Sequence, residues 1–150
     1  MPQSLSYNLV HIVFSTKHRE RWLRPEVRQE LYPYLSQIAR DVNCECYRVG
    51  GVEDHVHFAI RLSPSIHASK LVSTLKTGSF KWMNRKFKGF ADFAWQEGYG
   101  LFSVSSKDLK PLLSYIENQE VHHLEISFED EMRKFFALYD VEYDEKFAWG

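Results

Sequence analysis

The sequence predicts an α+β fold of the ferredoxin-like kind: a split βαβ, RRM-like antiparallel sheet with helices on one face. Three observations predict it. Segments of strand and helix character follow one another as strand, helix, strand, strand, helix, strand, helix, which is the split βαβ order with a helix added. The two middle strands are separated only by the turn chemistry of Gly50-Gly51 and Glu53-Asp54, as in a hairpin. A chain of 150 residues with 44% hydrophobic and 15% aromatic content supports one core and no second. The expected organisation is a single domain over 1–150, with a core at about 5–123 and a helical, aromatic extension at about 124–150.

Residues 7–15, YNLVHIVFS, mix β-branched and aromatic residues and read as the first strand, which the polar run Ser15 to Glu20 ends. From Pro25, a good first-turn residue, Val27, Leu31, Leu35, Ile38, Ala39 and Val42 recur every three or four positions on one helix face. Pro33 lies inside that pattern and predicts a kink. Residues 44–52 form the second strand. Its Cys44 and Cys46 point the same way, too close in sequence for a good disulfide, and fit a reduced, cytoplasmic protein.

Residues 55–62, HVHFAIRL, form the third strand. Ser63-Pro64-Ser65 ends it, and a helix of mixed basic and apolar faces runs from Ile66 to about Phe87. A fourth strand at 95–106 carries a bend at Gly98 or Gly100, with Trp95, Tyr99 and Phe102 in the core. Asp108 to about His122 is one helix. The last, 127–139, opens with Ser127 and acidic residues, as a capped helix does. Tyr139, Tyr143, Phe147 and Trp149 then imply packing on the body or on a second subunit.

The opening residues lack the basic and apolar regions of a signal peptide, and no apolar run approaches the roughly 18 residues of a membrane span. The expectation is a cytoplasmic protein with no membrane partner. The formal net charge is −1, so total charge does not announce a nucleic-acid binder. Distribution does. Lys17, His18, Arg19, Arg21 and Arg24 cluster after the first strand, while Lys70, Lys76, Lys81, Arg85, Lys86 and Lys88 follow the second helix, with Phe80, Trp82, Phe87 and Phe90 interleaved. Such mixtures neutralise phosphates and stack on unpaired bases. Lys17, Arg19, Arg21, Lys76, Lys81 and Arg85 are the candidate DNA contacts.

In Asp54-His55-Val56-His57 the imidazoles at i and i+2 leave one face of a strand together, so one divalent ion can be chelated with positions left open. Two ordinary histidines on a half-exposed strand give the same pattern. Tyr115 and Gln119 lie one turn apart on a helix. A phenol is a poor nucleophile until a nearby metal stabilises its developing charge, and an amide oxygen can serve as a third ligand. Without that context Tyr115 reads as a packing residue. His122 and His123 diverge on a helix and read better as helix-end groups bonding terminal carbonyls than as members of the site, and Asp54 reads better as a turn residue than as a group orienting His57 or the metal.

The set GG-x-x-DHVHF, W-x-x-GYG-x-FSVS and YI-x-NQ-x-x-HH, in that order, resembles the single-tyrosine, single-strand DNA transposases of the HUH superfamily, from small insertion sequences and their REP-associated relatives. The resemblance spans the first strand through His123. It implies that His55, His57 and Gln119 hold the metal, magnesium first with manganese as alternative, and that Tyr115 is the nucleophile. It also implies hairpin-bearing single-stranded DNA as partner, cleavage and rejoining through a 5′-phosphotyrosine, and a homodimer, with Tyr115 serving either its own subunit's site or the partner's. The competing readings are a domesticated or non-catalytic single-strand nucleic-acid-binding module of RRM-like fold and a metal-dependent hydrolase that activates water.

Overall fold

The structure is a computed structural model that describes residues 5–150. The start of the segment judged against a leader, residues 1–4, lies outside the described residues.

Strand β1 (Leu9–Ser15) is buried at every position and sits between two neighbours. Together with β2 (Glu45–Gly51), β3 (His55–Arg61) and β4 (Gly100–Val104) it forms a sheet of order β2-β3-β1-β4, antiparallel throughout. This is the split βαβ topology. Side chains alternate across such a sheet, so Val10, Ile12 and Phe14 join Val56, Phe58 and Ile60 on one face. That face meets α1 (Pro25–Asp41) through Val27, Leu31 and Leu35, and α2 (Ala68–Lys86) through Leu71, Leu75 and Met83. Phe14 and Phe58 are wholly buried, each contributing about 1.5–3 kcal/mol. Helix α1 runs from end to end through Pro33, so the expected kink does not interrupt it.

The opposite face is covered as well. Helix α3 (Leu109–Glu117) lays Leu112 and Ile116 against Ala59, and α5 (Phe128–Leu138) lays Phe128 and Met132 against Val13 and Phe102. Ser127 caps α5 as its sequence predicts, its hydroxyl accepting from the Asp130 amide at 3.1 Å. Tyr139, Tyr143 and Trp149 pack on Phe102 and Phe136, whereas Phe147 is exposed.

Two elements differ from the sequence expectation. The tyrosine helix is not continuous to His122: it ends at Glu117, Asn118 leaves helical geometry (φ −95°, ψ 18°), and the short α4 (Gln119–His122) follows. Asn competes for backbone hydrogen bonds and favours such breaks. Strand β4 begins only at Gly100, because the carbonyls of Gln96, Glu97 and Gly98 accept from the Lys76 ammonium at 2.8, 3.2 and 2.6 Å instead of joining the ladder. Trp95 and Phe102 are buried, but Tyr99 is exposed. Among the described residues no helix is long and apolar enough to cross a membrane.

Candidate active site

Because His11, Val13, His55, His57 and Ala59 are in register on the α3/α5 face, the two motif histidines open onto the space beneath α3 and α5. Both are wholly buried. Gly50 permits α3 to come this close: a Cβ there would lie 2.7 Å from the Ile116 carbonyl oxygen. A Cβ on Gly51 would collide with the His55 carbonyl oxygen, so the Gly-Gly pair shapes the entry to the histidine strand.

Four elements then converge. Gln119 Oε1 is 3.2 Å from His55 Nε2, and the Tyr115 hydroxyl donates to the Glu131 carboxylate. His122 Nε2 is 3.4 Å from the same hydroxyl. Glu131 Oε1 is 3.3 Å from His55 Nε2, 3.2 Å from His57 Nε2 and 3.1 Å from His123 Nε2, while Oε2 accepts from the Gln119 amide at 3.2 Å. One oxygen of a carboxylate that is 1% exposed therefore occupies the common focus of three imidazoles.

The outer partners fix how those rings present themselves. A carbonyl only accepts, so His123 Nδ1 donates to Ile126 O at 2.7 Å. His55 Nδ1 faces Asp54 Oδ1 at 2.6 Å and donates to it. With Nδ1 committed outward, Nε2 of His55 and His123 faces the centre, the nitrogen that would ligate an ion in place of its proton. His57 Nδ1 pairs with His11 Nε2 at 2.7 Å, and burial holds His11 well below its ordinary pKa, hence neutral and able to accept.

Charge is tightly coupled here. Burial alone would raise the Glu131 pKa, but the His57 charge and hydrogen bonds from His123, His55 and His57 hold it far below the carboxylate range. Burial works against charge on His55, yet Asp54 and Glu131 raise it to about 9. Burial lowers His57. Burial and the Glu131 charge push the Tyr115 phenol far up. A buried anion facing three Nε2 atoms, with no Lys or Arg partner among the described residues, calls for protonated imidazoles or a cation. The donor atoms of His55, His57, His123 and Glu131 all lie within 4.8 Å of one another, so these residues fit a divalent ion.

The structure thus brings His55, His57, Tyr115 and Gln119 together. Within the chain, Gly50 lets α3 lie on its own sheet, which carries Tyr115 to the histidines. The structure does not bring the basic candidates together. Lys17 and Arg21 are exposed, and Arg21 lines a cleft with Asp54 and His123. Arg19 is turned inward to Glu129, at 3.1 Å, and to the Trp149 carbonyl. Lys76 is spent on the three carbonyls, and exposed Lys81 and Arg85 ride on α2, across the sheet from the histidines. Of the interleaved aromatics only Phe80 is exposed; Trp82 stacks on Tyr34 and Phe90 is core.

Sequence reasoning missed Glu131 and His11, and it favoured a helix-end role for His123 and a turn role for Asp54 over the site roles it also weighed for them. Glu131 did leave a signal: it interrupts the apolar face of α5 between Phe128 and Phe135, where an acid is costly without a partner.

Residues 4–119 match the family model described as Transposase IS200 like. The chain belongs to the IS200-like transposase family. The activity class of this single-tyrosine HUH transposase is accordingly DNA transposition. It is 27% identical over 114 residues to the ISDra2 transposase TnpA of Deinococcus radiodurans, covering 73% of this chain and 81% of that one. It is 26% identical over 121 residues to the IS200 transposase of Salmonella typhimurium, covering 73% and 74%. A crystal structure of a Deinococcus radiodurans R1 protein described as a transposase superposes with a TM-score of 0.61 at 25% identity, covering 79% of this chain and 98% of that one. A REP-associated tyrosine transposase bound to a REP hairpin shares the fold over 100% of this transposase and 96% of its own chain, with a TM-score of 0.61 at 16% identity. His122, His123 and Glu131 lie beyond the segment the family model matches.

Proposed function

We propose that this transposase cuts and rejoins hairpin-bearing single-stranded DNA by a metal-dependent reaction with Tyr115 as nucleophile. The observation that carries the reading is the convergence, in one buried site, of the Tyr115 hydroxyl, the Gln119 amide and the Nε2 atoms of His55 and His57. His55, His57 and Gln119 would hold the ion, whose contribution when bound is to polarise the scissile phosphate and offset the local negative charge.

The phenol oxygen attacks phosphorus, the bond to the 3′ oxygen breaks, and the products are a 5′-phosphotyrosine and a free 3′-OH. His122 Nε2, 3.4 Å from the hydroxyl and held below its ordinary pKa by burial, would take the phenol proton as the hydroxyl turns from Glu131 to phosphorus, and would pass it to the departing 3′ oxygen. Rejoining reverses the roles: a 3′-OH attacks the phosphotyrosine and Tyr115 leaves with its proton restored. No water is consumed. Exposed Arg21 lines the cleft that reaches Asp54 and His123 and supplies a phosphate contact there.

The test is a denaturing gel of the full chain incubated with hairpin-bearing single-stranded DNA and a divalent ion. A covalent protein–DNA band is expected, absent in Tyr115→Phe while hairpin binding persists. Cleavage without any covalent band favours activated water and overturns the proposal.

A further inference from the structure

We propose that His123 and Glu131 complete, with His55 and His57, a four-ligand site for a first-row transition ion that clasps helix α5 to the sheet. This rests on the metal reading above and extends it to the DNA-free chain, in which His123 and Glu131 fill the positions that Gln119 and the scissile phosphate would take during cleavage. Three arguments carry it.

The first is position. Glu131 Oε1 lies 3.1–3.3 Å from three imidazole Nε2 atoms, at the focus where an ion would sit, and a small displacement makes that oxygen the fourth ligand. The second is preparation. Asp54 and the Ile126 carbonyl hold the Nδ1 hydrogens of His55 and His123, and His11 can do so for His57. Such outer partners fix the ligating tautomer. The third is donor chemistry. Three imidazoles and one carboxylate suit zinc and its neighbours, whereas magnesium prefers an oxygen shell with retained waters. That moves the expected ion away from magnesium.

The clasp follows from topology. His55 and His57 belong to β3, His123 follows α4, and Glu131 is on α5, so a shared ion ties the C-terminal segment to the sheet centre. The Phe128 and Met132 contacts then support a helix whose docking metal strengthens.

The experiment uses the full chain, stripped with a chelator and titrated calorimetrically with zinc chloride or magnesium chloride. One zinc per chain is expected, with magnesium far weaker. Glu131→Gln and His123→Asn are each expected to weaken zinc by at least the roughly 10–100-fold typical of lost outer partners, and His55→Ala to abolish binding. Zinc is expected to slow proteolysis within residues 124–150 of the parent.

The unaltered chain supplies an independent readout: bound cobalt is expected to show the intense visible absorption of a four-coordinate site. If Glu131→Gln and His123→Asn bind zinc as tightly as the parent and only His55→Ala fails, the clasp falls and the histidine-pair site stands. If His55→Ala also binds normally, the metal reading falls with it. A weak, six-coordinate cobalt spectrum, or proteolysis indifferent to zinc, also overturns the clasp.

Discussion

His11 Nε2 lies 2.7 Å from His57 Nδ1, and both rings are buried. The register of β1 on β3 places them as diagonal neighbours, since His11 is opposite Ala59 and Val13 is opposite His57. His11 sets which nitrogen of His57 faces the site.

His11→Leu is therefore expected to lower metal affinity by about 10–100-fold, measured by calorimetry on the full chain. His11→Gln, whose amide oxygen can accept the Nδ1 hydrogen, recovers most of it. Equal affinity in the Leu variant would remove His11 from the site.

Gly50 governs the distance between α3 and the sheet. Gly50→Ala places a methyl 2.6 Å from Ile116 Cγ2 and 2.7 Å from its carbonyl oxygen, so α3 must shift or the strand must bend. A loss of about 1–3 kcal/mol in denaturant unfolding is expected, with a larger fall in adduct formation because the shifted helix carries Tyr115. A variant with the parent's stability and adduct yield contradicts this packing.

The two kinds of basic residue separate experimentally. Lys76→Met strands the carbonyls of Gln96, Glu97 and Gly98 and is expected to cost about 1–3 kcal/mol of stability, with hairpin affinity unchanged in the folded fraction. Exposed Arg21→Ala is expected to leave stability unchanged and to reduce the slope of log affinity against log salt by about 1. Salt-dependent binding by gel shift, alongside urea melts, distinguishes these outcomes; a reversed pattern contradicts both.

Metal-free protein is expected to lose stability as pH rises. His55 is raised to about 9 from its ordinary 6.5, so the folded state holds an extra proton between those values. Its contribution is fully present below about 6.5 and disappears as pH passes through 9. Melting in chelator from pH 6 to 10 is expected to show this decline, and Asp54→Asn, which removes one of the raising partners, to flatten it. An unchanged slope in that variant contradicts the Asp54–His55 pairing.

Much of this site is legible in the sequence because local rules govern it. Strand alternation alone puts His55 and His57 on one face, and the Ser127 cap and the α1 stripe follow from spacing. Tyr115 and Gln119 were identifiable as partners, although the break at Asn118 was not, since a single Asn is tolerated in many helices. The convergence on Glu131 and His123 depends on where α5 docks, a tertiary fact with no local period. Lys76 was equally opaque: an ammonium bound by backbone carbonyls reads in sequence like any surface lysine. Glu131 alone carried a warning, as an acid on an apolar helix face.

The central claim is that Tyr115 becomes joined to DNA. Its most direct measurement is mass spectrometry of the proteolysed covalent complex formed on hairpin-bearing single-stranded DNA. The predicted result is a nucleotide linked through phosphate to the peptide containing Tyr115, with an equimolar free 3′-OH on the released strand. A linkage mapped to any other residue, or cleaved DNA with no linked peptide, would contradict it.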